Sequence, residues 1–451
     1  MPEEFSSIFS NVQADNSNWR WPDIPGLFTF EGKLLHSAKW DNSYDYDGKV
    51  VAVIGNGSSA IQIVPKLQKG NTFQHAILTV VAKQLISFQR SSTWVTPTPG
   101  LTAPSPDDPK LDKDLQYTLE ERKRFEEDPQ YLLEHRNAIY NQGGGNFSAY
   151  FMGSKSQQAS IDLFAKTMKQ RLKHDEKLIN HILPSYPPGC RRLTPGPGFL
   201  EALVEENVTV ITTAIEMITP KGVRTIDGKE YECDVLVCAT GFDTTYRPRF
   251  SLIGRNEQSL SEEWTANIPQ AYWGVAVPGY PNYFSISFRF ISDNSIHGSK
   301  YTSCKRDFVR IYPSPRRLFC QRTSANKSLL HQIMKKMQTE NVRTLDVKQE
   351  VVKELNEHTQ KYLRHTAFAA TCRSWYKGGK STGNVTAVWG GTSHHYIRSL
   401  LKMRWEDYNI TYTTANRFSW LGNGFTEEEN AGEKNYWYLT NTFDEYLKLE
   451  L

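Results

Sequence analysis

The sequence has no stretch of about twenty apolar residues, and its start, MPEEFSSIFSNVQ, has no apolar core of a secretory signal. It also has no excess of one charge, because 53 Lys and Arg face 49 Asp and Glu and leave a net charge of +4. The basic residues are scattered, which argues against a nucleic-acid surface. These absences predict a cytoplasmic protein with neither a membrane span nor a nucleic-acid partner.

Cysteine is scarce and has no recognisable pattern. The six cysteines form neither C-x-x-C pairs nor the spacing of zinc ligands, so no metal site is expected. For a cytoplasmic protein the simplest expectation is that all of them are reduced thiols. They are Cys190, Cys233, Cys238, Cys304, Cys320 and Cys372.

The chain is too long, at 451 residues, for one ordinary core, and its order of elements predicts an α/β fold. KVVAVIG (49–55) is a short apolar run typical of a buried parallel strand, and further strand patterns are AKQLISFQR (82–90), VTVITTAIEMI (208–218) and CDVLVCATGF (233–242). Charged, helix-favouring sequence at about 105–185 predicts a helical insertion, and another helix is predicted over 347–368. We expect a linker region over 1–48, a Rossmann-like domain over 49–245 and a second domain over 246–451.

A glycine-rich turn follows the first of these strands and opens directly into a predicted helix. Such a turn lets the backbone approach a pyrophosphate, which then lies on the helix N-terminus. A GxGxxA pattern alone is a weak signal, but the preceding strand and following helix give it the required context. The predicted cofactor-binding residues are Gly55, Asn56, Gly57, Ser58, Ser59, Ala60 and, two positions further on, Gln62.

The end of the next strand carries Arg90 and Ser91, where an NAD-binding protein would place an acidic residue on the ribose. An arginine there is suited to a 2′-phosphate, so NADP is favoured over NAD. The alternative is that Arg90 is an ordinary solvated surface residue.

The segment FEGKLLHSAKWD (30–41) resembles the FxGxxxHxxxW(P/D) fingerprint of Baeyer–Villiger monooxygenases, and it lies just before the glycine turn, as in that family. From the residues alone, the histidine would be a structural one in a polar loop. The resemblance implies instead a hinge in the linker between two nucleotide-binding domains. The matching residues are Phe30, Gly32, His36, Trp40 and Asp41.

Three further segments resemble the same family: PPGCRRL (187–193), VLVCATGFD (235–243) and CRSWYK (372–377). The resemblance implies that Arg191 helps to hold the NADP phosphate and that Arg192 is catalytic, facing the flavin and stabilising its anionic peroxide. It also implies cofactor-binding roles for Thr240, in the ATG strand, and for Trp375, beside the nicotinamide and the substrate.

The resemblance implies an NADP-binding domain with a helical insertion, joined to the C-terminal part of a flavoprotein monooxygenase that has two dinucleotide-binding domains. It implies an enzyme that uses NADPH, FAD and dioxygen to convert a small ketone to an ester or lactone. Two alternatives stay open: a flavin monooxygenase that oxygenates nitrogen or sulfur, and a non-redox ligand-binding protein or isomerase built on the same scaffold.

The family pattern is not matched everywhere. The family's FAD-binding glycine turn is not found ahead of Gly55, so we expect region 1–48 to be a remnant of the FAD domain and the chain to be truncated, without FAD and inactive as written. Segments 70–80 and 301–324 interrupt the pattern, and 288–299 departs from a Gly-Pro-rich loop. Retained introns and real divergence both explain these departures.

Overall fold

A computed structural model of the chain describes residues 9–11, 19–69, 82–96, 117–143, 147–248, 250–285 and 316–432. The unusual segments 70–80 and 288–299, and the first part of segment 301–324, lie outside these ranges. Residues 316–324 of that segment form the beginning of a helix. Within the described ranges, no helix is both long and apolar enough to cross a membrane.

The described part of the chain contains both strands and helices. The strands are β1 (Phe9–Asn11), β2 (Lys33–His36), β3 (Val50–Ile54), β4 (Gln84–Phe88), β5 (Val95–Thr96), β6 (Thr194–Pro195), β7 (Val208–Ile211), β8 (Ile215–Ile218), β9 (Gly222–Thr225), β10 (Glu230–Glu232), β11 (Val235–Cys238), β12 (Tyr283–Ser285), β13 (Val342–Val347) and β14 (Tyr408–Tyr412). The helices are α1 (Ser58–Lys69), α2 (Leu119–Glu127), α3 (Pro129–Gly143), α4 (Lys155–Arg171), α5 (Glu176–Ile182), α6 (Phe199–Ala202), α7 (Leu260–Ala266), α8 (Arg316–Thr339), α9 (Gln349–Leu363), α10 (Ser393–Leu400) and α11 (Glu427–Asn430).

A five-stranded parallel sheet in the order β2-β11-β3-β4-β7 confirms the predicted α/β fold. Its strands are apolar because both faces are covered. Val51 and Val53 point to the face packed by α1 and by α4 and α5. Ala52 and Ile54 point to the opposite face, where β8 and β9 pack. Successive side chains of a strand therefore pack into two separate cores, one on each face of the sheet.

The loop conformation predicted around His36 is wrong, because Lys33–His36 is a strand at the edge of this sheet. It pairs in parallel with β11, with His36 opposite Cys238. The run predicted as one strand over 208–218 is also divided. Its first half, β7, belongs to the parallel sheet, and its second half, β8, begins an antiparallel sheet with β9 and β10.

The predicted insertion is helical and contains α2, α3, α4 and α5. Strand β5 precedes the insertion and β6 follows it. These two strands pair in parallel, so the two ends of the insertion lie side by side. Beyond the sheet domain, α9 confirms the helix predicted over 347–368, with shorter bounds. A separate apolar cluster there joins α8, α10, β13 and β14.

The expectation that every cysteine is a free thiol is wrong for one pair. Cys190 and Cys372 form a disulfide whose Cα atoms are 6.3 Å apart, within the usual range for such a bond. The two residues are 182 positions apart in sequence, so spacing gave no sign of the pair. Cys233 and Cys238 are free and buried, and burial raises the pKa of each thiol to about 12.

Candidate dinucleotide site

The glycine turn lies at the carboxyl end of β3, at the centre of the parallel sheet. Gly55 has φ +118°, and a Cβ added there would lie 2.5 Å from the carbonyl oxygen of Ala239. Its N–H donates to the oxygen of Phe88 at 3.0 Å. A side chain is therefore excluded at this position, and the backbone passes closely between two neighbouring strands. The adjacent N-terminus of α1 presents N–H groups of the kind that bind phosphates.

Side chains of the turn fix it to its surroundings. The Asn56 amide donates to the carbonyl of Ser91, and the hydroxyls of Ser58 and Thr194 lie 2.6 Å apart. Gln62 is exposed on α1 and donates to the carbonyl of Ser58 at 2.8 Å. The turn, the end of β4 and strand β6 are thereby held in one arrangement.

The segment after β4 has a fixed backbone, while Arg90 itself is exposed. The preceding residue, Gln89, is buried and donates from its N–H to Ile211 at 2.8 Å. Its carbonyl lies 2.8 Å from Nε2 of His181, at the end of the helical insertion. Sequence reasoning missed His181, because nothing in its local sequence shows that α5 ends beside β4.

Arg191 meets the same segment from the other side. Its Nη1 donates to Ser91 Oγ and to the carbonyl of Ser92, each at 3.2 Å. The guanidinium lies 5.2 Å from the ring centre of Tyr186, whose hydroxyl also donates to Ser92 at 2.9 Å. Burial raises the pKa of Tyr186, and the Arg191 charge opposes that rise.

These residues fit a phosphorylated dinucleotide. Gly55 leaves space that a Cβ would fill, and Nε of Arg191 is buried without a hydrogen-bond partner in the described part of the chain. A guanidinium with donors still available is suited to an anionic phosphate. The structure brings the glycine turn, Ser91 and Arg191 together and adds Tyr186, which sequence reasoning did not select.

Arg192 and Trp375 are both half-buried. The disulfide of Cys190 and Cys372 ties the segment of Arg192 to that of Trp375. Trp375 packs at an angle of 60° on Tyr376, with ring centres 4.7 Å apart. The bridge therefore holds the segment of Arg192 next to the segment of Trp375.

The fingerprint histidine is buried among aromatic rings. His36 is 1% exposed and stacks on Trp19, with ring centres 4.6 Å apart. Its Nδ1 accepts from the N–H of Ala38 at 3.1 Å, and its ring meets that of Phe242, which follows Gly241 in the ATG segment, edge-on at 6.3 Å. Burial lowers the pKa of His36, and the Gly241 backbone offsets part of this effect. Burial thus favours the neutral form of this imidazole, which packs the end of β2 against the residues that follow β11.

The other fingerprint residues have structural contacts. A Cβ at Gly32 would lie 2.5 Å from the carbonyl of Asp234, and Phe30 is buried in the core under β8 and β9.

Trp40 stacks on Tyr46, with ring centres 5.2 Å apart. Asp41 pairs with Lys33 at 2.6 Å, which holds the pKa of the carboxyl below its usual range. Thr240 is exposed at the end of β11.

A scan against models of protein families found no match. Comparison with individual proteins, in contrast, finds monooxygenases. The chain is 34% identical over 422 residues to the FAD-binding monooxygenase moxY of Dothistroma septosporum, covering 93% of this chain and 60% of the relative. It is 34% identical over 442 residues to the FAD-binding monooxygenase tazF of Aspergillus terreus, covering 96% and 72% respectively. A Baeyer–Villiger monooxygenase of Pseudomonas aeruginosa is 28% identical, covering 87% of this chain and 66% of the relative.

The fold agrees with these relatives. A closed crystal structure of cyclohexanone monooxygenase matches with a TM-score of 0.67 at 20% identity, covering 90% of this chain and 75% of that chain. The chain therefore spans between about three fifths and three quarters of the length of these four proteins. It belongs to the family of FAD-binding monooxygenases that includes the Baeyer–Villiger monooxygenases.

Proposed function

We propose that this chain acts in an FAD- and NADPH-dependent monooxygenase that inserts an oxygen atom from dioxygen beside the carbonyl of a small ketone. The observation that supports it best is the junction of Arg191 with Ser91 beside the glycine turn, because this junction offers positive charge where a 2′-phosphate would lie. The type of reaction comes from family membership and from the fingerprint around His36. A cytoplasmic location, and domains over 49–245 and 246–451, remain predictions from the sequence.

The geometry supports an assignment of residues to NADP. The turn from Gly55 to Ala60 would receive the pyrophosphate on the N-terminus of α1. Arg90 and Arg191 would contact the 2′-phosphate, with Tyr186 holding the guanidinium of Arg191 in place. Ser91, which accepts from Arg191, fixes the distance between the two basic residues.

The residues for the oxygenation step lie on the bridged segments. Bound FAD supplies the two-electron chemistry that activates dioxygen. Arg192 would place a permanent cation where negative charge develops, and arginine keeps its charge in a partly buried site. Trp375 would cover the reacting centre and exclude water. His36, whose pKa is lowered by burial, would pack the end of β2 against the ATG segment rather than act as an acid or base.

The described residues fit NADP better than they fit FAD. Within the five strands of the parallel sheet, only β3 is followed directly by a glycine turn and a helix, and we assign that unit to NADP. Thr240 and Gly241, at the end of β11, would then form one wall of a flavin site. We therefore expect the 451-residue chain to bind NADPH more tightly than FAD, and to lose flavin during purification.

The test supplies purified chain with NADPH, FAD, dioxygen and either a small cyclic ketone or a thioether. Lactone detected by mass spectrometry supports the proposal, and its loss in Arg192→Ala but not in Arg398→Ala, an exposed arginine on α10, supports the role of Arg192. Sulfoxide without lactone favours a sulfur-oxygenating enzyme. Failure to bind NADPH in a fluorescence titration contradicts the site itself.

A further inference from the structure

A buried lysine lies against the disulfide. Nζ of Lys377 is 3.7 Å from the sulfur of Cys190 and 4.0 Å from that of Cys372, and it donates to the carbonyl of Ala370. Lys377 is 3% exposed, and none of the described carboxylates forms an ion pair with it. Burial, and secondarily the charge of Arg191, lower its pKa. A buried ammonium group without an anion is costly, so this position needs an explanation.

A disulfide stabilises a buried ammonium group only weakly. It carries no charge, so in the oxidised state the ammonium of Lys377 has only a carbonyl and two neutral sulfur atoms as neighbours. Reduction changes this, because a thiolate on either sulfur would be an anion at the position that the ammonium already faces. A neighbouring cation favours the thiolate over the thiol. The lysine therefore stabilises the reduced form more than the oxidised form.

We propose that Cys190, Cys372 and Lys377 form a redox-active dithiol–disulfide site, in which Lys377 stabilises the reduced form by pairing with a thiolate. The co-reactant is a low-molecular-weight thiol such as glutathione. Its thiolate attacks one sulfur and breaks the bond between Cys190 and Cys372, and the released cysteine thiolate pairs with Lys377. A second thiol then releases the first cysteine, so that two electrons enter the protein and the co-reactant leaves as its disulfide.

The disulfide lies next to residues to which we assign roles in cofactor binding and oxygenation. Cys190 directly precedes Arg191 and Arg192, and Cys372 lies three residues before Trp375. The bridge therefore couples the arginine segment to the tryptophan segment when it is oxidised and releases them when it is reduced. The free cysteines Cys233 and Cys238 differ from this pair. Burial raises the pKa of both thiols, and no cation among the described residues opposes that rise. This inference does not depend on the proposed oxygenation.

The test titrates the full chain in glutathione buffers of graded redox ratio and maps the peptides without reduction. We expect a peptide pair joined through Cys190 and Cys372 under oxidising conditions. Lys377→Met should make the disulfide about tenfold harder to reduce, a change of about 30 mV toward more negative potential. Lys377→Arg should stay near wild type, and Lys380→Met, at an exposed lysine three residues away, should not shift the midpoint.

A second measurement needs no lysine variant. Fully reduced wild-type protein at neutral pH should show ultraviolet thiolate absorption that the double variant Cys190→Ser, Cys372→Ser lacks. Recovery of both cysteines as separate alkylated thiols under oxidising conditions would overturn the disulfide. Equal midpoints for Lys377→Met and Lys380→Met, or equal absorption in the wild type and the double variant, would overturn the role of Lys377.

Discussion

Arg191 donates a hydrogen bond to Ser91 Oγ at 3.2 Å, which joins two residues 100 positions apart in sequence. Ser91 directly follows Arg90, and its carbonyl accepts from Asn56 of the glycine turn. One small serine thus connects the turn, the end of β4 and the arginine segment. The proposed phosphate site is therefore an assembly of three segments that are distant in sequence.

Replacing Arg90 with alanine should weaken NADPH binding by roughly 1–3 kcal/mol, because a charge-assisted contact to the 2′-phosphate is lost. NADH binding should hardly change, since NADH has no phosphate there. Fluorescence titration with both cofactors measures the difference, with Lys83→Ala, an exposed lysine just before β4, as the control. Equal losses for NADPH and NADH would remove Arg90 from the 2′-phosphate site.

The two glycines of the turn should respond differently to alanine. A Cβ at Gly57 meets nothing within 4 Å, so Gly57→Ala should fold normally and lose NADPH affinity, because the new methyl group occupies the space of the pyrophosphate. Gly55→Ala should also lower the free energy of unfolding by roughly 1–3 kcal/mol, since its φ is +118° and the Cβ collides with Ala239. Urea unfolding and NADPH titration of both variants separate the effects. Unchanged NADPH binding in Gly57→Ala would contradict the location of the cofactor.

His36 should make the protein sensitive to acid. In the unfolded chain it takes up a proton near its ordinary pKa of 6.5, whereas burial lowers its pKa in the folded state. The unfolded state therefore binds more protons below that pH, and stability falls as the pH decreases from 6.5 toward the lower folded value, by at most about 1.4 kcal/mol per pH unit. His36→Asn, which keeps an acceptor for Ala38, should lose this part of the pH dependence in urea unfolding. His174→Asn, at an exposed position, is the control. The same pH dependence in both variants would exclude His36 as the cause.

Asp346 should stabilise the C-terminal half. Its Oδ1 accepts from the N–H of Gly279 at 2.9 Å and its Oδ2 from Arg255 at 2.8 Å, while the residue is 6% exposed. Asp346→Ala should lower the free energy of unfolding by about 1–3 kcal/mol, because the partly buried N–H of Gly279 loses its acceptor. Asp346→Asn should cost less, since it can still accept from Gly279. If denaturant unfolding shows equal losses for both variants, the cost does not come from the Gly279 hydrogen bond.

Some features were determined by local sequence. The run around Val51 is apolar without alternation, as a strand covered on both faces must be, so its burial could be predicted. The turn at Gly55 could be predicted because a strand, two glycines and a helix start follow one another within a few residues. The helical insertion was visible because its charged composition differs from that of the strands on either side.

Other features were decided only by the tertiary structure. Lys33–His36 looks like a polar loop because its pairing partner, β11, lies about two hundred residues further along the chain. The pair of Cys190 and Cys372, with Lys377 against it, joins segments whose spacing carries no motif. Hydrogen bonds, ion pairs and disulfides between distant residues depend on where folding brings the chain together. The sequence by itself therefore determined the strand around Val51, the glycine turn and the helical insertion, whereas the tertiary structure decided which distant side chains and segments meet.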